Sequence, residues 1–303
     1  MTLRPAWSRE SAVLKLPLAP IELGDIDPEW GWGGADGSGA RVAVIDSGIE
    51  ADHPLLEGCV DTDAAVEFTV DPDGNVVQTD GPHDDSFGHG TACAGIIHKI
   101  APGARITSVK VLGPGLRGKA AAFGAGLSWA VENGFDVINL SLGTRKRDWA
   151  LAFHDLCDQA YFGGSFVVTA ANNVERPSYP SLFASVTSVA CNLSSDPDRF
   201  HFNPEPPTEF LAPGIDVEVP WLGGGTTVTT GNSFAAPHIA GRAALIKSKH
   251  PELRPFQIKT VLWATAANVR EAGRPEVAGR LSQLMSGVVP RAATRSMVVR
   301  PGV

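Results

Sequence analysis

Arg41-Val42-Ala43-Val44-Ile45-Asp46-Ser47-Gly48 is a short, largely β-branched run that ends in a polar turn. Between Val42 and Ile45 no polar residue alternates with the apolar ones, the pattern of a strand buried on both faces, as parallel strands are. Its C-terminal end is where open α/β sheets bind ligands. Asp46 therefore reads either as a group facing a ligand or as a cap for the turn that follows. The same pattern recurs in Ile106-Thr107-Ser108-Val109-Lys110-Val111-Leu112, Val137-Ile138-Asn139-Leu140 and Ser165-Phe166-Val167-Val168-Thr169-Ala170-Ala171. Helices are expected after the first two of these, the second reaching about Tyr161, further short strands around Val186 to Ala190 and Val217 to Val219, and a last helix near Pro255 to Ala267. Strands alternating with helices predict an α/β fold, doubly wound around a mostly parallel sheet.

Composition limits the partners. The 303 residues, 43% of them hydrophobic, suffice for one large domain. A net charge of −8 argues against nucleic acid, which is bound by clustered Lys and Arg. The run Ala12-Val13-Leu14-Lys15-Leu16-Pro17-Leu18 is broken by Lys15 and Pro17, and nothing approaches the length of a membrane span. Cys59, Cys93, Cys157 and Cys191 form no C-x-x-C pair, which suits reduced thiols. Residues 1–39 are expected to form an irregular arm anchored by Trp30 and Trp32, residues 40–289 the domain, and residues 290–303 a basic tail.

Four stretches invite a chemical reading. Gly231-Asn232-Ser233-Phe234-Ala235-Ala236-Pro237-His238 places a serine where a buried helix begins, among backbone N–H groups that lack helical partners. Ser233 there is a helix cap or a nucleophile, and Pro237 tilts the reading toward function, because a proline inside a helix deletes a backbone hydrogen bond. In Phe87-Gly88-His89-Gly90-Thr91, glycines on both sides give the imidazole room that a core histidine does not need. His89 and Cys93 lie one helical turn apart but lack the further ligands of a zinc site. Gly113-Pro114-Gly115-Leu116-Arg117-Gly118 matches a dinucleotide fingerprint in spacing only: Asp136 precedes its strand and Pro114 removes an amide. Asp71-Pro72-Asp73-Gly74-Asn75, between two β-branched runs, is expected to be a hairpin turn and not a calcium loop. No metal and no cofactor is assigned.

Val44-Ile45-Asp46-Ser47-Gly48-Ile49, Gly88-His89-Gly90-Thr91 and the Ser233 block resemble the three signature motifs of the subtilisin-like serine peptidases, in that family's chain order of Asp, His and Ser. The resemblance extends from about Gly39 to Ser286. It implies a three-layer fold, a peptide or protein substrate, and a triad of Asp46, His89 and Ser233. It also implies an oxyanion donor at Asn173, with Asn172 the neighbouring possibility. Ser141, Leu142 and Gly143 would pair with the substrate backbone. Ser178 falls at the primary specificity pocket and, being neutral, implies apolar or uncharged side chains before the cut, unless Glu175 intrudes. Asn232 stands where relatives carry threonine, and Ala92 where they carry a second histidine. The two readings are an active endopeptidase, expected in the cytoplasm with the trimming of a peptide precursor as a role, and a weak or inactive peptide-binding module on the same fold.

Overall fold

Both faces of the first strand are covered, as its unbroken apolar run requires. A computed structural model describes residues 26–272. Its first elements are helix α1 (Pro28–Trp32), strand β1 (Arg41–Asp46), strands β2 (Val66–Val70) and β3 (Val76–Asp80), and helix α2 (His89–Ile100). Next come β4 (Arg105–Lys110), α3 (Ala120–Glu132), β5 (Val137–Leu140), α4 (Ala150–Gly163), β6 (Phe166–Ala170), β7 (Thr187–Asn192), β8 (His201–Phe202) and β9 (Phe210–Pro213). The chain then runs through β10 (Val217–Trp221), β11 (Gly225–Thr229) and helices α5 (Asn232–Lys249), α6 (Pro255–Thr265) and α7 (Ala267–Ala272).

Nine strands form one sheet in the order β3-β2-β4-β1-β5-β6-β7-β9-β8. All neighbours from β2 to β9 run parallel, and β3 and β8 are antiparallel edges. The two faces of β1 build two different cores. Val42 and Val44 pack with Ile97 of α2 and with Ala236 and Ile239 of α5, while Ala43 and Ile45 pack with Leu127 of α3 and Phe153 of α4. The result is three layers, helix on sheet on helix.

The sheet order turns back around β1, which has β4 on one side and β5 on the other. The helix before β4 lies on one face and the helix after it on the other, which opens a crevice at the C-terminal strand ends. Asp46, Ser141 and Asn173 all sit at those ends.

One expectation needed adjustment. The arm is not wholly irregular: Asp27 caps the five-residue helix α1 by accepting from the Trp30 N–H at 2.8 Å. Trp30 and Trp32 are half-buried, Trp30 stacked on His250 and Trp32 under the Arg242 guanidinium. The β2–β3 hairpin forms, with Asp71 accepting from both the backbone and the side chain of Asn75. Gly113 to Arg117 close a small turn, with Gly113 N–H donating to Arg117 C=O at 2.8 Å. Asp136 accepts from the Arg41 N–H, a structural role. Residues 1–25 and 273–303, including the apolar run at 12–18 and the basic tail, lie outside the described residues. Among those described, no helix is long and apolar enough to cross a membrane.

Candidate active site

Asp46, the last residue of β1, is fully buried, and both of its carboxylate oxygens meet the Nδ1 of His89 at 2.8 and 2.9 Å. Oδ1 also accepts from the Ser47 N–H at 2.8 Å. His89 opens α2, and the glycines beside it are steric necessities. Gly88 has φ +103°, and a Cβ there would lie 2.7 Å from the Trp221 ring. A Cβ on Gly90 would lie 2.0 Å from the Gly48 carbonyl oxygen. Helix α2 thus seats directly on the turn after β1, and that close approach brings imidazole and carboxylate together.

Burial alone would lower the pKa of the His89 imidazole, but the adjoining Asp46 carboxylate prevails and holds it well above the ordinary 6.5. Cys93 completes a cluster with Asp46 and His89 whose donor atoms lie within 4.8 Å of one another. Burial pushes this thiol up, which favours a protonated S–H, and the S–H donates to the Ser233 carbonyl at 3.6 Å. With Nδ1 already facing the carboxylate, the cluster reads as a hydrogen-bonded network and not as a ligand set.

Ser233 is the second residue of α5. Its carbonyl would normally accept from the N–H four residues on, but that residue is Pro237, which has none. The freed oxygen accepts instead from the Ser141 hydroxyl at 2.8 Å and from Cys93, and Asn139 in turn donates to the Ser141 hydroxyl at 3.1 Å. The proline defect therefore ties the start of α5 to the end of β5. Ser233 and His89 line one groove. No hydrogen bond within 3.5 Å joins Ser233 Oγ to the imidazole, a contact that in such sites tightens when substrate binds.

Asn173 follows β6, and its Oδ1 accepts from the Asn232 N–H at 2.8 Å. Its Nδ2 has no hydrogen-bond partner among the described residues, and Asn173 lines one groove with Ser233. The Asn172 side chain instead accepts from the Val174 N–H within its own loop. The Asn232 side chain is occupied by main-chain partners. Its amide nitrogen donates to the carbonyls of Ala171 and Asn172, and its oxygen accepts from the Cys191 N–H.

Ser141, Leu142 and Gly143 divide the site. On one side lies a groove of about 290 Å³ walled by His89, Leu112, Phe123 and Leu142. On the other lies a wider one of about 660 Å³, walled by Ala170, Asn172, Asn173 and Ser178. The Ser141 side chain is buried, and a Cβ on Gly143 would meet Ser178 Oγ at 2.5 Å. Glu175 lines neither groove.

Asp85 is the residue that sequence reasoning missed. Buried, it accepts five hydrogen bonds: from the Ser47 and Thr91 hydroxyls and from the N–H groups of Phe87, Gly88 and Thr91. Each donor left without it would cost about 1–3 kcal/mol, so Asp85 fixes the loop that aims His89. The available signal was a carboxylate four residues before the histidine, placed to cap the helix N-terminus.

The sequence matches the subtilase family over residues 37–281. It is 32% identical over 255 residues to subtilisin DY of Bacillus licheniformis, covering 79% of this chain and 88% of that one. It is 33% identical over 248 residues to subtilisin E of Bacillus subtilis strain 168, covering 77% of this chain and 62% of the other. A solved lanthipeptide protease shares the fold with a TM-score of 0.61 and 26% identity, over 74% of this chain and 78% of that one. Signature motifs, sheet topology and a match spanning most of the chain agree, and the protein belongs to the subtilase family of serine endopeptidases.

Proposed function

We propose that the chain hydrolyses peptide bonds through Asp46, His89 and Ser233 by way of an acyl-enzyme. The observation that carries this reading is the two-oxygen contact of Asp46 with His89 Nδ1, at the foot of a groove whose wall holds Ser233. Asp46 fixes the tautomer with its proton on Nδ1, leaving Nε2 to act as base. Ser233 Oγ attacks the scissile carbonyl while its proton passes to Nε2. The oxyanion that forms is held by Asn173 Nδ2 and by the Ser233 N–H, which at the second position of the helix has no intrahelical acceptor. His89 then protonates the leaving amine, and water repeats the sequence on the ester.

The substrate would lie extended along Ser141 to Gly143, with the side chain before the cut in the wider groove. No carboxylate lines that groove, which supports a preference for apolar or uncharged side chains there. The likeness to a lanthipeptide protease supports trimming of a peptide precursor as the role. All four cysteines are unpaired, which supports a reducing, cytoplasmic setting.

The decisive test is labelling with a serine-reactive fluorophosphonate and mapping of the adduct. Ser233 is expected to be modified in the folded protein and not after unfolding. Absence of label on the native protein would overturn the reading in favour of a binding module.

The raised His89 pKa sets the pH response. Only the neutral imidazole accepts a proton, so kcat/KM is expected to rise with pH through a midpoint above the ordinary 6.5 and to level off beyond it. Stability follows the opposite sign: a raised histidine pKa contributes stability that is complete below 6.5 and lost as pH climbs through the folded value. A pH profile of kcat/KM from about 5 to 10 checks this, and a midpoint at or below the ordinary value would contradict it.

A further inference from the structure

The two grooves beside Ser233 are bordered by cations that the fold does not use. Lys119 and Lys146 line the groove of His89 and Phe123, and Arg145 and Lys146 line the groove of Asn173 and Ser178. Arg117 and Arg147 flank them in sequence, and all five are exposed. Among the described residues none of the five has a side-chain hydrogen bond or an ion pair. Elsewhere in the molecule basic residues are commonly engaged: Lys110 with Glu67 at 3.1 Å, Arg105 with Asp61 at 3.0 Å, Lys259 with Glu209 at 2.8 Å. The segments that supply the five, residues 112–120 and 141–150, contain one acid, the exposed Asp148.

A chain of net charge −8 has no general excess of cations to scatter over its surface. Three unpaired ones lining the cleft, Lys119, Arg145 and Lys146, with Arg117 and Arg147 next to them in sequence, create a local positive field opposite in sign to the net charge of the protein. An extended peptide turns successive side chains to opposite sides. With the residue at the cut in the Ser178 groove, the first and third residues before it, which are the second and fourth positions before the cut, face the groove of Lys119 and Lys146.

We propose that this cleft selects acidic peptides, with Asp or Glu at the second and fourth positions before the cut, held by Lys119 and Lys146. The inference rests on the peptidase reading and adds the class of substrate. The apolar walls of Leu112 and Phe123 take the stems of those side chains, and the ammonium groups at the rim take the carboxylates. Arg145 reinforces the exclusion of Lys and Arg from the groove at the cut.

The test uses two fluorogenic peptides with the same apolar residue at the cut, carrying Glu or Gln at the second and fourth positions before the cut. At about 0.02 M salt the Glu peptide is expected to have a kcat/KM about three- to tenfold higher, the scale of two exposed charge pairs. At about 0.5 M salt the advantage should shrink below about twofold, since such pairs are screened. A Lys119→Glu/Lys146→Glu double variant should prefer the Gln peptide, with fluorophosphonate labelling of Ser233 reporting that it is folded. Equal cleavage of the two peptides by a protein that labels at Ser233 would overturn this proposal alone. Failure of both labelling and cleavage would overturn the peptidase reading and this proposal with it.

Discussion

Replacing Ser233 with alanine is expected to lower kcat for peptide hydrolysis by about 10⁶-fold, the scale known for removing the nucleophile of subtilisin itself, while leaving the melting temperature unchanged. Both halves follow from the geometry. The main-chain oxygen of Ser233 is bound by Ser141 and Cys93, but its hydroxyl has no hydrogen-bond partner among the described residues, so the fold loses nothing when the hydroxyl goes. Away from such contacts a substitution stays within about 0.5 kcal/mol. A cap would behave in the opposite way, because deleting a capping hydroxyl costs about 1 kcal/mol of stability. His89→Ala should be nearly as damaging as Ser233→Ala, and the double variant no worse than either, since base and nucleophile act as one unit. Single-turnover kinetics beside thermal melts on the three variants would decide. A Ser233→Ala enzyme that retains more than about one hundredth of the activity, or one that melts several degrees lower, would remove Ser233 from the nucleophile's position.

What could be read from the sequence was what local chemistry dictates. Strands β1, β5 and β6 declared themselves because a parallel strand must be apolar on both faces, and residues 42 to 45 divide between two cores as that rule demands. The glycines flanking His89 signalled a close backbone approach, which the Gly48 carbonyl and the Trp221 ring supply. Strand β9, Phe210-Leu211-Ala212-Pro213, escaped notice because it is short, ends in proline and is defined by its pairing with β7. Strand β11 is mostly threonine and glycine and exists as the partner of β10. Ser141, Asp85 and Asn232 were visible as residues, but their roles depend on partners 92, 38 and 41 positions away in the chain. Such pairings come from the packed sheet and leave no trace in local periodicity.

The oxyanion site offers the sharpest separation of roles. Asn173→Ala is expected to lower kcat by about 10²- to 10³-fold with little change in KM, the scale known for the oxyanion asparagine of subtilisin. Asn172→Ala removes one bond within a loop and should cost less than about threefold in kcat, around 0.6 kcal/mol. Asn232 falls between them for a different reason. Its side chain laces Ala171 and Asn172 to Cys191, and its N–H holds the Asn173 oxygen, so it positions the donor without touching the oxyanion. Threonine, with a single hydroxyl, cannot replace three hydrogen bonds but keeps the backbone N–H that orients Asn173. Asn232→Thr is therefore expected to cost no more than about tenfold in kcat, or about 1.4 kcal/mol, together with a lowered melting temperature that Asn173→Ala does not share. Measuring kcat, KM and melting temperature for the three variants side by side separates donor from support. A crippling Asn172→Ala beside a nearly silent Asn173→Ala would transfer the oxyanion role to Asn172. An Asn232→Thr enzyme as slow as Asn173→Ala with an unchanged melting temperature would make Asn232 itself a donor.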